Sequence, residues 1–226
     1  MIHSRKVTAL VPVKDHSARV KGKNFREFAG KPLYHHILHT LDRTFAVDEI
    51  VINTDSPRVM QEAQSISRKI RVLERPPELR GDEVSTNRLF EHDLTQTEAD
   101  IYLQTHATNP LLRAETIADA LKTFVESEDE HDSLFSVNRF QSRFYLSSGE
   151  AVNHDPEDLI PTQDLNPVFE ENSCIYVFTK ESFAKKQRRI GLTPLMFATP
   201  PMESVDIDDE LTFRLAELLA LYAGND

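Results

Sequence analysis

Within one short stretch, Val7 to Tyr34, the chain changes character abruptly, and that change restricts the folds open to it. Val7, Ala9, Leu10, Val11 and Val13 make a brief β-favouring apolar run punctuated by Pro12, the composition of a strand buried in an α/β sheet. The residues that follow reverse the local charge. Lys14, Arg19, Lys21 and Lys23 put four cations in one loop, with His16 and Ser17 beside them, in a protein of formal net charge −11. A loop just past the carboxyl end of a first strand is where open α/β sheets bind ligands, and cations with backbone N–H groups there suit phosphates. The expected ligand is a polyphosphate, weighed against the plainer reading of a solvated basic loop. Standard phosphate-binding glycine motifs do not decide it: Gly22-Lys23 is followed by Asn24, and Gly22 stands alone.

The rest of the chain fits a parallel sheet. Gly30-Lys31-Pro32 turns into a helix running to about Arg43, Glu49 to Asn53 reads as a second strand, and Asp55 or Ser56 caps a helix through about Arg68. Ile70 to Leu73 follows as a third strand, so strand, helix and strand alternate as in sheets with right-handed crossovers. Ile101 to Gln104, Ser133 to Asn138 and Cys174 to Phe178 are further strands, with Glu126 to Asp132, five acids in seven residues, read as a solvated loop. His35 and His39 stand four apart on the first helix. That spacing can hold a metal, but no third ligand accompanies them, so packing is the stronger reading.

Acids outnumber Lys and Arg by 37 to 26, and the pI is near 5.3, which argues against nucleic acid as the partner. Cys174 is the single cysteine, so no intrachain disulfide can form, and its apolar surroundings suggest a buried structural thiol. No window approaches the ~18 apolar residues of a membrane span. A single α/β domain over residues 1–226, soluble and cytoplasmic, is expected.

Three segments carry a resemblance. Lys14, Ser17 and Lys23-Asn24, continued by Phe25 and Ala29-Gly30-Lys31-Pro32-Leu33, resemble the opening signature of the CMP-sugar synthetases that use CTP, the acylneuraminate cytidylyltransferase group. Arg75-Pro76-Pro77-Glu78-Leu79, followed by Asp82, Ser85 and Thr86, is similar to that family's second signature. Val205-Asp206-Ile207-Asp208, preceded by Glu203-Ser204, is similar to the third. Read without the family, the second is a proline-broken loop with an N-cap. In the third, residues two apart on an extended segment face one way, so Asp206 and Asp208 project together, as a Mg²⁺ ion with phosphate oxygens would require; the alternative is an acid-decorated helix start.

The resemblance implies a three-layer α/β/α, nucleotide-diphosphosugar-transferase-like fold with a mostly parallel sheet, and an excursion over 139–172 that crosses to a partner in a homodimer. It implies transfer of CMP from CTP to the anomeric hydroxyl of a sialic-acid-like 2-keto-3-deoxy sugar acid, with release of pyrophosphate. Lys14, Ser17, Arg19, Lys23, Asn24, Arg75, Ser85 and Thr86 would bind the nucleotide, and Asp206 and Asp208 would hold Mg²⁺. Gln104, Asn109, Phe169 and Asn172 are implied near the sugar; Asn109-Pro110 is equally well read as a helix start running through Val125.

Two departures stand out. Many members carry a lysine after the loop's serine, where this chain has Ala18, so Arg19 is expected to serve instead. Where sialic-acid-activating members often have an Arg-Pro pair, this chain has Glu170-Glu171, which would repel a substrate carboxylate; Arg139 or Arg143 is expected to supply the missing cation. A KDO-like or other unusual keto-sugar, or a non-catalytic nucleotide-binding homologue, stand as alternatives.

Overall fold

The computed structural model describes residues 2, 4–17 and 20–223. A seven-stranded sheet has the order β5-β4-β1-β6-β8-β7-β9. Its members are β1 (Val7–Val13), β4 (Glu49–Thr54), β5 (Ile70–Glu74), β6 (Ile101–Gln104), β7 (Ser133–Phe140), β8 (Val168–Phe178) and β9 (Pro194–Ala198). A two-stranded ribbon, β2 (Glu27–Phe28) with β3 (Lys31–Pro32), follows the basic loop. The helices are α1 (Leu33–Arg43), α2 (Pro57–Glu62), α3 (Thr86–Thr95), α4 (Ala114–Glu126), α5 (Lys180–Lys186) and α6 (Glu210–Ala223). Strand β1 pairs in parallel with both β4 and β6, β4 with β5, and β7 with β9, while β8 runs antiparallel to β6 and β7.

The alternation in β1 divides the core. Val7, Ala9, Val11 and Val13 pack with Tyr34, Ile37, Leu38 and Leu41 of α1 and Ile117, Leu121 and Phe124 of α4. Leu10 points the other way, into a cluster with Phe90 and Leu94 of α3 and Phe183 of α5. The sheet is thus covered on both faces, which is why its parallel strands carry near-continuous apolar sequence. Cys174 is fully buried, and burial, then the charges of Asp206 and Glu203, push its thiol up to about 12, as suits a structural thiol. Among the described residues no helix is long and apolar enough to cross a membrane.

Several boundaries depart from expectation. Pro32 caps α1 from the preceding strand, and α2 gives way to a 3-10 turn at Ala63–Ser65 instead of continuing to Arg68. Asn109 does not start a helix; α4 begins at Ala114 with Arg113 as its N-cap. Val168–Asn172, within the expected excursion, extends β8 and pairs with β7 through Arg139↔Phe169 and Phe140↔Val168, carrying a ribbon outward. Strand β9 was not anticipated, and residues 205–208 are not a strand.

Candidate active site

The sheet reverses direction of growth at β1, with β4 on one side and β6 on the other, and a crevice opens beyond the carboxyl ends at such a point. Val13 lies beside Thr54, and Thr54 beside Glu74, so the three strand ends release their loops at one level. There a cleft of about 490 Å³ is lined by residues of all three signatures: Lys14, Ser17, Lys23 and Asn24; Arg75 and Thr86; and Asp208.

Gly22 adopts a left-handed conformation (φ 63°), which turns the chain into the short helical turn Lys23–Phe25. The Asn24 side chain donates to the Lys14 carbonyl at 2.8 Å and so fastens the two ends of the basic loop. Lys23, with its side chain 11% exposed, donates from Nζ to the Ile207 carbonyl at 2.6 Å and lies 3.7 Å from Asp208 Oδ1. Ile207 is buried against Phe28, Leu33 and Phe213, and its N–H donates to Thr108 O at 2.9 Å. The segment bearing Asp208 is therefore held by an apolar plug and by backbone bonds on both sides.

Opposite, Lys14 Nζ pairs with Asp82 Oδ1 at 2.9 Å and touches the Gly81 carbonyl at 3.3 Å; this cation draws the exposed Asp82 below the usual carboxylate range. Arg75 forms the floor, almost wholly buried. Its Nε donates to Asn53 Oδ1 at 2.8 Å and Nη2 to Asn53 O at 2.9 Å, while Asn53 Nδ2 donates to buried Asp93. Burial lowers the Arg75 pKa, opposed by Asp55 and Asp93, and burial raises that of Asp93. Ser85 is the N-cap of α3, accepting from Arg88 N, and Thr86 in the first turn faces the cleft.

His106, which carried no sequence signal, also lines the cleft. Burial, reinforced by Arg189 and Lys23, pushes its imidazole down to about 3, so it is neutral. Gln104, fully buried at the end of β6, accepts from Arg189 Nη1, another group the sequence did not mark.

Other expected residues lie elsewhere. Asn109 is buried and is not among the cleft's lining residues. Asn172 organises the β7–β8 irregularity: it accepts from Ser136 Oγ and donates to Thr199 Oγ1, each at 2.6 Å, and to Asn138 at 3.0 Å. Arg139 and Phe169 face each other on the outward ribbon, and Arg143 donates to the Ile160 carbonyl at 2.6 Å, so neither arginine lines the cleft. Arg19 and Ala18 lie outside the described residues. Asp206 does not line the cleft; its charge is felt at Cys174, whereas that of Asp208 is felt at His106. Residues 205–208 are not a strand, so strand alternation is not what sets the relative orientation of Asp206 and Asp208. His35 and His39 pack with ring centroids 6.3 Å apart.

Among the described residues no three His, Cys, Asp or Glu side chains are grouped to hold a metal. The half-exposed Asp208, beside a cleft lined with cations, still fits the sparse donor set that Mg²⁺ takes when phosphate oxygens complete its shell.

A basic loop, buried arginine and carboxylate around one crevice of a mostly parallel sheet define a nucleotidyltransferase. The cytidylyltransferase family model matches residues 8–221, and the chain belongs to that family of CMP-sugar synthetases. It is 26% identical over 228 residues to the CMP-N,N'-diacetyllegionaminic acid synthase of Legionella pneumophila, covering 95% of this chain and 96% of that protein. Identity to the pseudaminic acid cytidylyltransferase of Campylobacter jejuni is 23% over 221 residues, covering 93% and 94%. Among solved structures, CMP-2-keto-3-deoxy-manno-octonic acid synthetase complexed with CTP superposes with a TM-score of 0.68 at 17% identity, over 98% of this chain and all of that one; this likeness concerns the fold.

Proposed function

We propose that this cytidylyltransferase transfers CMP from CTP to the anomeric hydroxyl of a sialic-acid-like nonulosonic acid. The hydroxyl oxygen bonds to the α-phosphorus, the bond from that phosphorus to the β-phosphate oxygen breaks, and pyrophosphate leaves with the hydroxyl proton passing to solvent. The observation that carries this reading is the meeting of Lys14, Lys23 and Asp208 in one cleft above Arg75. Lys23, already held in the cleft, and Lys14, once it leaves Asp82, neutralise charge gathering on the leaving pyrophosphate. Ser17, Asn24 and Thr86 position the nucleotide, and Arg75 supports the cleft floor. Mg²⁺ on Asp208, with Asp206 as the second carboxylate, would screen the α-phosphate and lower the cost of forming the nucleophile.

The relatives' names favour nonulosonic acids, and a panel decides among them. Isotope-labelled CTP and Mg²⁺ with legionaminic, pseudaminic, N-acetylneuraminic and 3-deoxy-octulosonic acids should give a CMP-sugar and pyrophosphate with at least one of the first three. Turnover of the octulosonic acid alone would reassign the substrate, and turnover of none would reject the activity. Exposed Phe140, Tyr145, Leu146 and Leu159 on the 139–172 excursion support a homodimer through that arm, to be checked by sedimentation.

A further inference from the structure

We infer that Arg189 is the residue that binds the sugar acid's carboxylate and so sets specificity for an acidic acceptor. The inference rests on the reading above, in which the carboxylate is attached to the carbon bearing the attacking hydroxyl. Its partner must therefore lie next to the Lys23–Asp208 end of the cleft. Within one protomer Arg139 lies on the outward ribbon and Arg143 just beyond it, and neither lines the cleft.

Arg189 is placed to meet the condition. A second cavity, of about 420 Å³, is lined by Lys186, Arg188 and Arg189 against the single acid Glu171, with Asn87 on its wall. The first turns of α3 separate the two spaces: Thr86 and Leu89 face the nucleotide cleft and Asn87 faces the second cavity. Arg189 Nη1 donates to Gln104, two residues before His106 of the nucleotide cleft, so the guanidinium stands beside the strand end from which that wall of the cleft leaves.

Its setting suits planar recognition of a carboxylate. The guanidinium lies 3.9 Å over the Tyr176 ring and 5.6 Å from Phe90, and Nη1 donates to Gln104 Oε1. The contacts to ring faces and to Gln104 restrict its rotation, and a pre-oriented fork loses little entropy on pairing. Two further atoms want partners: Gln104 Nε2 and Asn87 Oδ1 are buried and make no hydrogen bond among the described residues. An amide donor and an amide acceptor flanking a guanidinium match the carboxylate and hydroxyl groups of a sugar acid.

The loop is also built to hold this position. Gln187 ends α5 in a left-handed conformation (φ 53°), Gly191 N donates to Ser133 Oγ at 2.8 Å, and Leu192 N and Thr193 N donate to Asp132 at 2.8 and 3.0 Å. Glu171, whose carboxylate takes the Tyr176 hydroxyl, supplies a counter-charge to Arg189, giving a role to an acid where the family often has Arg-Pro.

The test compares the best sugar acid from the panel with its methyl ester in wild type, Arg189→Gln and Arg189→Lys. Wild type should prefer the acid, and Arg189→Gln should raise KM for the acid about 10- to 100-fold, the worth of a charge-assisted pair, with KM for CTP and turnover of the ester little changed. Arg189→Lys should recover part of the preference. Equal loss on acid and ester in both variants would mean that Arg189 only supports Gln104, and the inference falls. If the wild type turns over no sugar acid at all, the inference falls together with the activity on which it rests.

Discussion

The ammonium of Lys23 lies 3.7 Å from the Asp208 carboxylate, joining the loop after the first strand to the segment before the last helix. Neither group is free to drift. Lys23 is anchored on the Ile207 carbonyl, and Ile207 is itself locked in the core by Phe28 and Phe213. Opposite charges fixed at the rim of one cleft form a site for a ligand that carries both an anion and its counter-ion, as a metal-bound triphosphate does.

Removing either charge should therefore act on the chemical step more than on folding. Lys23→Ala should lower kcat about 100-fold or more, the loss seen when a preorganised charge at the reacting group is deleted. Asp208→Asn should lower activity comparably and, unlike Lys23→Ala, should raise the Mg²⁺ concentration needed for half-maximal rate. Steady-state kinetics over a Mg²⁺ titration separates the two, and an unchanged Mg²⁺ requirement in Asp208→Asn would remove that residue from the metal site.

Lys14 faces a competitor. Its pairing with exposed Asp82 must be given up before it can meet a phosphate. Asp82→Asn should therefore tighten CTP binding about two- to fivefold, with the gain shrinking at high salt because the pair is solvent-screened. Calorimetry at low and high ionic strength checks this, and weaker binding by the variant would show Asp82 to be a nucleotide contact instead.

What the sequence discloses follows from how local each feature is. The apolar run of β1, the basic loop and the Arg75 segment are contiguous and keep their meaning when read alone. Asp208 was legible for the same reason, although the strand expected to align it with Asp206 is absent. Arg189 was hidden because Lys185-Lys186-Gln187-Arg188-Arg189 looks like the solvated cationic end of a helix. Asp132 was hidden inside an acidic run that reads as solvent-facing. Their roles are created by the parallel register of β7 and β9, which brings Ser133 beside Pro194, and no local pattern encodes that pairing. His106 owes its neutral state to neighbours far along the chain.

The buried chain from Arg75 through Asn53 to Asp93 should behave as one unit. Asn53→Leu removes one side-chain partner from each buried charge, leaving Arg75 only the residue 53 backbone carbonyl and Asp93 only His92 among the described residues. A loss of about 1–3 kcal/mol in unfolding free energy is expected, with weaker CTP binding as the cleft floor loosens. Urea denaturation measures the first and calorimetry the second. A variant as stable as wild type would show that the network is not needed to hold Arg75.

Asp132 gives the loop carrying Arg189 a pH dependence whose sign can be worked out. Burial alone would raise its pKa, but the N–H groups of Leu192 and Thr193 and the Ser133 hydroxyl outweigh this, so the folded value lies below the ordinary one near 3.8. A carboxyl depressed on folding contributes stability that is complete above its unfolded pKa and is lost as pH falls through the folded pKa. Wild type should therefore lose this contribution below about pH 4, whereas Asp132→Ala should lack it throughout and be about 1–3 kcal/mol less stable at pH 7. The gap between the two stability curves should close on acidification. Gly191→Ala gives an independent check, since an added Cβ would lie 2.2 Å from Asp132 Oδ1 and must displace the carboxylate. Both variants should raise KM for the sugar acid while leaving that for CTP nearly unchanged, because the clamp holds the sugar side of the site and not the basic loop. Parallel stability curves with a constant gap at every pH would show that Asp132 stabilises the loop without its charge.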